Sequence, residues 1–157
     1  MEKNDREMKY LERNKNINRG FRKLVIWQEA IELYKLVKEK LESFNTIPYK
    51  ISAQVEDSIF SVSSNIAEGY CRRHLKENIQ FNNIALASLG ENYSQIYALF
   101  HTGIINEEWF NEYDTKHYSL ENKLINFNRK QISMIKNKDE WKDDYVIKEL
   151  VIGYGND

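Results

Sequence analysis

Cysteine and proline each occur once in this chain of 157 residues, and glycine only six times. The single cysteine, Cys71, excludes an intrachain disulfide framework and any cage of cysteines around zinc. So few turn-forming residues argue against a β-protein with many tight turns. No apolar run approaches the ~18 residues of a membrane-spanning helix. The opening MEKNDREMKY is too charged for a secretion signal. The expectation is a cytoplasmic protein without a membrane partner. A Gly-rich phosphate loop, an H-E-x-x-H pair and a G-x-S-x-G elbow are also missing. Charge of one sign is lacking too: the net charge is −1 and the pI near 6.3.

What is present is helical periodicity in a chain with 41% hydrophobic and 30% charged residues, a composition that fits one globular domain. Residues 1–20 are charged and Asn-rich, and read as an N-terminal arm outside the core. From Phe21, the residues Trp27, Ala30, Ile31, Tyr34, Val37, Leu41 and Phe44 fall on one broad helical face. A second helix over roughly 50–72 carries Ile51, Val55, Ile59, Val62 and Ile66 as its stripe. A third, from about Lys76 to Thr102, has an apolar arc of Ile79, Leu86, Leu89, Tyr93, Ile96 and Phe100, and stops at Gly103, a position suited to a left-handed cap. A fourth opens after the N-cap candidate Asn106 and keeps a heptad seam through Phe110, Tyr113, His117, Leu120, Leu124, Phe127, Gln131 and Met134. Four helices with short connections predict an all-α, antiparallel up-down-up-down bundle over residues 21–137. Residues 138–157 form a C-terminal tail, whose YVIKELVIGY suits a short strand or turn.

Helices two and three carry a second set of small residues. In SVSSNIAEGYCRRHLKE and its surroundings, Ala53, Phe60, Ser64, Ala67 and Cys71 line up opposite the core stripe, where a solvent face would be rich in Lys and Glu. On the third helix Asn83, Ala87, Gly90, Ser94 and Ala98 form a similar row. Gly90 in mid-helix costs roughly 1 kcal/mol relative to Ala, so close backbone approach is its expected compensation. Both rows predict a homo-oligomer interface; the alternative is that these are neutral surface residues of a helix.

The stretch SIFSVSSNIAEGYCRRHLKENIQFNNIALASLGENYSQI resembles the signature of a family of small four-helix-bundle proteins encoded in intervening sequences of bacterial 23S ribosomal RNA genes. The family's pattern of a Gln, then S-I-x-x-N-I-A-E-G-x-x-R, then an aromatic and I-A-x-x-S-L-x-E falls here on Gln54, Ser61, Val62, Asn65 to Gly69, Arg72, Phe81, Ile84, Ala85, Ser88, Leu89 and Glu91. FRKLVIWQEAIELYKLV is similar to the family's first helix, and the likeness covers about residues 21–137. Val62 replaces the usual Ile, and His74 stands where Ser or Thr often starts the third helix. The resemblance implies a homopentameric barrel with no known catalytic activity. It also implies kinship with the accessory protein of diversity-generating retroelements, which works with a reverse transcriptase through a basic surface.

The candidate chemistry is sparse. Asn65, Glu68, Ser88 and Glu91 form a polar layer if the second and third helices are antiparallel. Two carboxylates there could do acid–base work; the plainer reading pairs Asn65 with Ser88 and Glu68 with Arg72. A di-metal site needs two Glu-x-x-His pairs, and only Asp114-Thr-Lys-His117 approximates one. No catalytic residue, metal ligand or cofactor is therefore assigned. Arg72, Arg73 and Lys76 at the turn between helices two and three would share one end of the bundle with Arg19, Arg22 and Lys23. A cyclic assembly would make these a basic ring for phosphate contact, although cations there also complement the helix dipole. The leading expectation is a non-enzymatic scaffold or adaptor that contacts RNA, DNA or a nucleic-acid enzyme. The alternative is a small enzyme using the carboxylate pair or a metal.

Overall fold

The computed structural model describes residues 9–72 and 74–137. Among them there is no strand. Four long helices, α1 (Val25–Glu42), α2 (Tyr49–Cys71), α3 (Leu75–His101) and α4 (Glu107–Lys136), follow a 3₁₀ segment at Ile17–Lys23. The expected tail lies outside the described residues.

The 3₁₀ segment starts where the Asn16 side chain accepts from the Arg19 N–H at 3.1 Å, capping an otherwise orphaned donor. Gly20 is buried, and the Cys71 thiol reaches the Asn18 carbonyl oxygen at 3.3 Å. The expected boundary at residue 20 therefore falls inside a structured turn, and the helix expected from Phe21 starts at Val25.

The buried stripe of α1 is Ile26, Ala30, Leu33, Val37 and Leu41. This corrects the expected face, because Trp27 and Ile31 are only half-buried while Ile26 and Leu33 occupy the interior. Ser43 ends the helix by donating from its hydroxyl to the Lys40 carbonyl at 2.6 Å. Pro48, with φ fixed at −55°, then opens α2. On α2, Val55, Ile59, Val62 and Ile66 are 0 or 1% exposed, as expected of the stripe. Ile51 is 40% exposed and lies outside it: one turn from the start of the helix, it runs past the cover of its neighbours.

The buried stripe of α3 departs most from expectation. Asn78, Asn82, Ala85, Leu89, Asn92, Ile96 and Leu99 form an unbroken 4,3 heptad with three asparagines at core positions. Of the expected arc, Leu89 and Ile96 are buried, whereas Ile79, Leu86, Tyr93 and Phe100 are half-buried along its flank. Gly103, at φ +77°, ends the helix, and the N–H of Ile104 returns to the Leu99 carbonyl. Asn106 caps α4 by accepting from the Trp109 N–H at 3.0 Å. The α4 seam holds at Phe110, Tyr113, His117, Leu120, Leu124 and Gln131, with Asn128 buried where Phe127 was expected. Phe127 and Met134 are half-buried.

Helix α1 packs on α2 and α4, and α3 packs on the same two, with the α2–α3 contact the most extensive. One apolar cluster joins all four, from Ile26 and Val37 through Ile59, Val62 and Leu89 to Leu120 and Leu124. Along α2 and α3 the partners run in opposite senses: Val55 meets Asn92, Ser61 meets Ser88, and Gly69 lies against Asn78 and Phe81.

Candidate functional site

The most chemically distinctive part of the interior is polar. The Tyr113 hydroxyl donates to Asn92 Oδ1 at 2.8 Å, and Asn92 Nδ2 donates to Ser58 Oγ at 3.0 Å and to the Val55 carbonyl at 3.1 Å. Ser58 Oγ lies 2.8 Å from Gln95 Oε1, and Gln95 Nε2 donates to Glu91 Oε1 at 3.2 Å. A donor-to-acceptor chain thus runs from a tyrosine buried on α4 across the core to a carboxylate exposed on α3. Each buried member is satisfied, as buried polar groups must be. Burial is the first cause that holds the Tyr113 phenol above its usual range, with the charge on Glu121 adding to it. His117, also buried, bonds through Nε2 to the Leu89 carbonyl at 2.9 Å and faces Glu121 at 3.4 Å through Nδ1. A second cluster sits nearer the α2–α3 turn, where Asn82 Nδ2 and Gln131 Nε2 both donate to Asn78 Oδ1 at 2.8 Å.

Of the expected polar layer, Asn65 and Ser88 do not bond each other. Asn65 Nδ2 donates to both the carbonyl and the hydroxyl of Ser61 at 2.8 Å, and it is the Ser61 hydroxyl that lies 3.0 Å from Ser88 Oγ. Ser61, a turn before Asn65, is the closer reach across the helix pair, so it mediates. Glu68 pairs with Arg72 as the i,i+4 spacing implies. Both Glu68 and Glu91 are exposed, each with a structural neighbour: Arg72 for the first and Gln95 for the second.

The row on α2 lies outside the core: Phe60 is 54% exposed, Ser64 is exposed, and Ala53, Ala67 and Cys71 are half-buried. Phe60 rests against the Tyr34 ring at 5.4 Å, and Tyr34 donates to Glu56 at 2.9 Å. On α3, Asn83, Ala87, Gly90, Ser94 and Ala98 are all exposed, and a Cβ built on Gly90 meets nothing within 4 Å. Among the described residues, the close approach expected at Gly90 does not occur.

The two cationic segments do converge. Asn18 touches Cys71, and the Phe21 ring stands 6.4 Å from that of Tyr70, which brings the 3₁₀ segment to the end of α2. The members differ in engagement. The Arg22 guanidinium donates to the carbonyls of Tyr10 at 2.8 Å, Arg13 at 3.1 Å and Asn14 at 3.3 Å, folding the preceding chain around itself. Arg19 reaches the Asn14 carbonyl at 3.4 Å. Arg72 stands 4.7 Å over the Phe81 ring besides its pairing with Glu68. Lys23 and Lys76 are exposed, and Arg73 lies outside the described residues. Burial raises the Cys71 thiol above its usual range, with the Glu68 charge adding to it.

Among the described residues no three His, Cys, Asp or Glu side chains cluster to hold a metal ion, and no helix is long and apolar enough to cross a membrane. The buried asparagines of α3 escape a reading of the sequence that takes asparagine for a surface residue. Their 4,3 spacing, in register with Leu89 and Ile96, is the signal that would have found them.

No curated protein matches this chain. The family model described as 23S rRNA-intervening sequence protein matches residues 22–126, a span from the end of the 3₁₀ segment to well into α4 that includes Ser61, Asn65, Glu68, Ser88 and Glu91. The chain belongs to the 23S rRNA-intervening sequence protein family.

Proposed function

We propose that this protein is a non-enzymatic subunit of a cytoplasmic homo-oligomer, a homopentamer by the family resemblance. It would act as a scaffold or adaptor whose basic end contacts RNA, DNA or a nucleic-acid enzyme such as a reverse transcriptase. Each subunit is an antiparallel up-down-up-down four-helix bundle, a reading supported by the opposed sense of the α2–α3 contacts. The observation that carries the assembly is the uncovered outer side of α2 and α3. A half-exposed Phe60 lies there among alanines and serines, and Gly90 has open space beyond its backbone. A second copy of the same surface would cover both.

The hydrogen-bond chain that ends on Glu91 supports a structural role for the family's motif. It ties a motif carboxylate to the core through Gln95 and Ser58, and leaves Glu68 to Arg72. Arg72, Lys76, Lys23 and Arg19 supply the charge of the basic end, while Arg22 is committed to the backbone around it.

Native mass spectrometry of the full chain is the test of assembly. A closed oligomer, five subunits expected, supports the reading, and a monomer at micromolar concentration overturns it. Replacing Arg72→Glu together with Lys76→Glu is expected to weaken polyanion binding at least tenfold. Losing about two phosphate contacts should also flatten the salt dependence, by roughly 0.7–0.9 in logarithmic slope for each contact.

A further inference from the structure

Three grooves on the subunit differ in charge. One, between α1 and α4, mixes Glu29, Glu32 and Lys116. Another, where α1 ends and α2 begins, carries Glu42, Glu56 and Asp57 and no cation among its lining residues. The third lies between the start of α1 and the later part of α4. It has a volume of about 360 Å³, and the eight described residues that line it include Lys23, Lys123 and Lys130 and no acid, with Glu29 paired to Lys123 from outside the lining. Its remaining wall is largely apolar: Leu24 and Phe127, both half-buried, and Ile26 at 5% exposure.

We propose that this third groove is a nucleotide-binding site, with the phosphate held by Lys23, Lys123 and Lys130 and the base laid against Phe127. Three lysines from two separate elements line one cavity, and an excess of cations along its wall favours an anion. The apolar wall selects an anion with a flat, weakly hydrated body. A purely inorganic ion would leave the exposed parts of Leu24 and Phe127 in contact with water. The volume lies at the small end of ligand pockets, roughly 300–1,000 Å³, which suits one nucleotide and no larger cofactor. Stacking on an aromatic ring is tolerant of base identity, and lysines neutralise phosphate without reading sequence. Lys123 is also paired with Glu29 across the α1–α4 contact, which offsets part of its charge, while its ammonium keeps two further donors for a ligand. Lys130 is exposed on α4 and needs no rearrangement to reach a ligand.

The nucleotide is either free or the terminal residue of a nucleic-acid strand. In the second case the groove deepens the phosphate-contact part of the proposed function, and in the first it is a separate ligand site that shares Lys23 with the basic end. The test is titration of the full-length protein with adenosine 5′-monophosphate, and separately with a short oligoadenylate with and without a 5′-phosphate. Saturable binding of the mononucleotide is expected, weakened about tenfold or more by Lys130→Glu, as loss of a charge-assisted contact implies. Lys123→Gln should weaken it as well, and Lys76→Glu, at the basic end, should not. Thermal melting checks that each variant is folded. Preference for the 5′-phosphorylated oligomer over the mononucleotide identifies a strand end, and the reverse identifies a free nucleotide. Binding of neither probe, or binding unchanged in both groove variants, overturns the proposal. Polyanion binding lost in Arg72→Glu/Lys76→Glu, with neither the mononucleotide nor the oligoadenylate weakened by Lys130→Glu and Lys123→Gln, would leave the basic-end function standing while the groove falls.

Discussion

The inward and outward faces of the α2–α3 pair both contain small residues, and the two sets do different things. Inward, Gly69 lets the helices touch: a Cβ there would lie 2.9 Å from the Phe81 Cβ and 3.2 Å from the Asn78 carbonyl oxygen. Around it Val62, Ile66, Ala85 and Leu89 are almost wholly buried. Outward, a Cβ on Gly90 would meet nothing within 4 Å among the described residues, and Ala87, Ser94 and Ala98 beside it are exposed. The lesson is that a small residue in a helix has a cause only when something approaches it. On the inward face the chain itself supplies the cause. On the outward face, a second copy of the chain is the proposed one.

The largest expected effect separates adjacent residues on opposite faces. Ile59→Ala, at 0% exposure, should cost about 2–5 kcal/mol in urea unfolding. Phe60→Ala, at 54% exposure, should change the stability of an isolated subunit by less than ~1 kcal/mol, while lowering the subunit number seen by native mass spectrometry. Equal losses of stability from both, with the assembly intact, would erase the distinction between the faces.

The two glycines sharpen it further. Gly69→Ala should destabilise the subunit by about 1–3 kcal/mol, since backbone and a Cβ on α3 must shift. Gly90→Ala should stabilise an isolated subunit by roughly 1 kcal/mol through helix propensity alone. In the assembly the same methyl should weaken association. Thermal melts at low and high protein concentration would read both effects. A variant that gains stability and keeps its subunit number would show that no neighbouring copy approaches Gly90.

The smallest effect concerns Glu56, beneath the outer row at the contact with α1. The Tyr34 hydroxyl, and then Lys38, hold its carboxyl below the usual range. Because the folded state favours the ionised form, its contribution is present above the ordinary carboxylate pKa near 4.5. It fades as pH falls through the lowered value. Glu56→Gln should therefore flatten the acid limb of a stability–pH curve slightly, by a fraction expected of a partly exposed pair. An unchanged acid limb would remove Glu56 as a contributor.

Much of the fold was legible in the residues. Asn106 and Gly103 mark helix ends through local chemistry, a side-chain cap and a left-handed residue, and both act as the sequence suggests. The stripe Val55, Ile59, Val62, Ile66 was legible because β-branched residues at helical spacing leave few alternatives. On α1 the register was not legible, since VIWQEAIELYKLV is apolar on most sides and periodicity alone cannot centre the face. The buried asparagines of α3 escaped for a related reason. Whether an amide belongs in a core depends on a partner, and the partners Tyr113, Ser58 and Gln131 lie on other helices.

Of the candidate site, the Glu68–Arg72 pairing was readable because it is local, four residues along one helix. The bond between Ser61 and Ser88, and the groove of Lys23, Lys123 and Lys130, were not, since each joins residues far apart in the chain. The sequence by itself determined which helices are amphipathic and where they begin and end, the start of α1 excepted, because those properties rest on spacing, caps and backbone restriction within a few residues. Only the tertiary structure decided which side of α1 is covered, which amides are satisfied inside, and which cations share a cavity. Burial and electrostatics are set by neighbours in space, and those neighbours come from other helices.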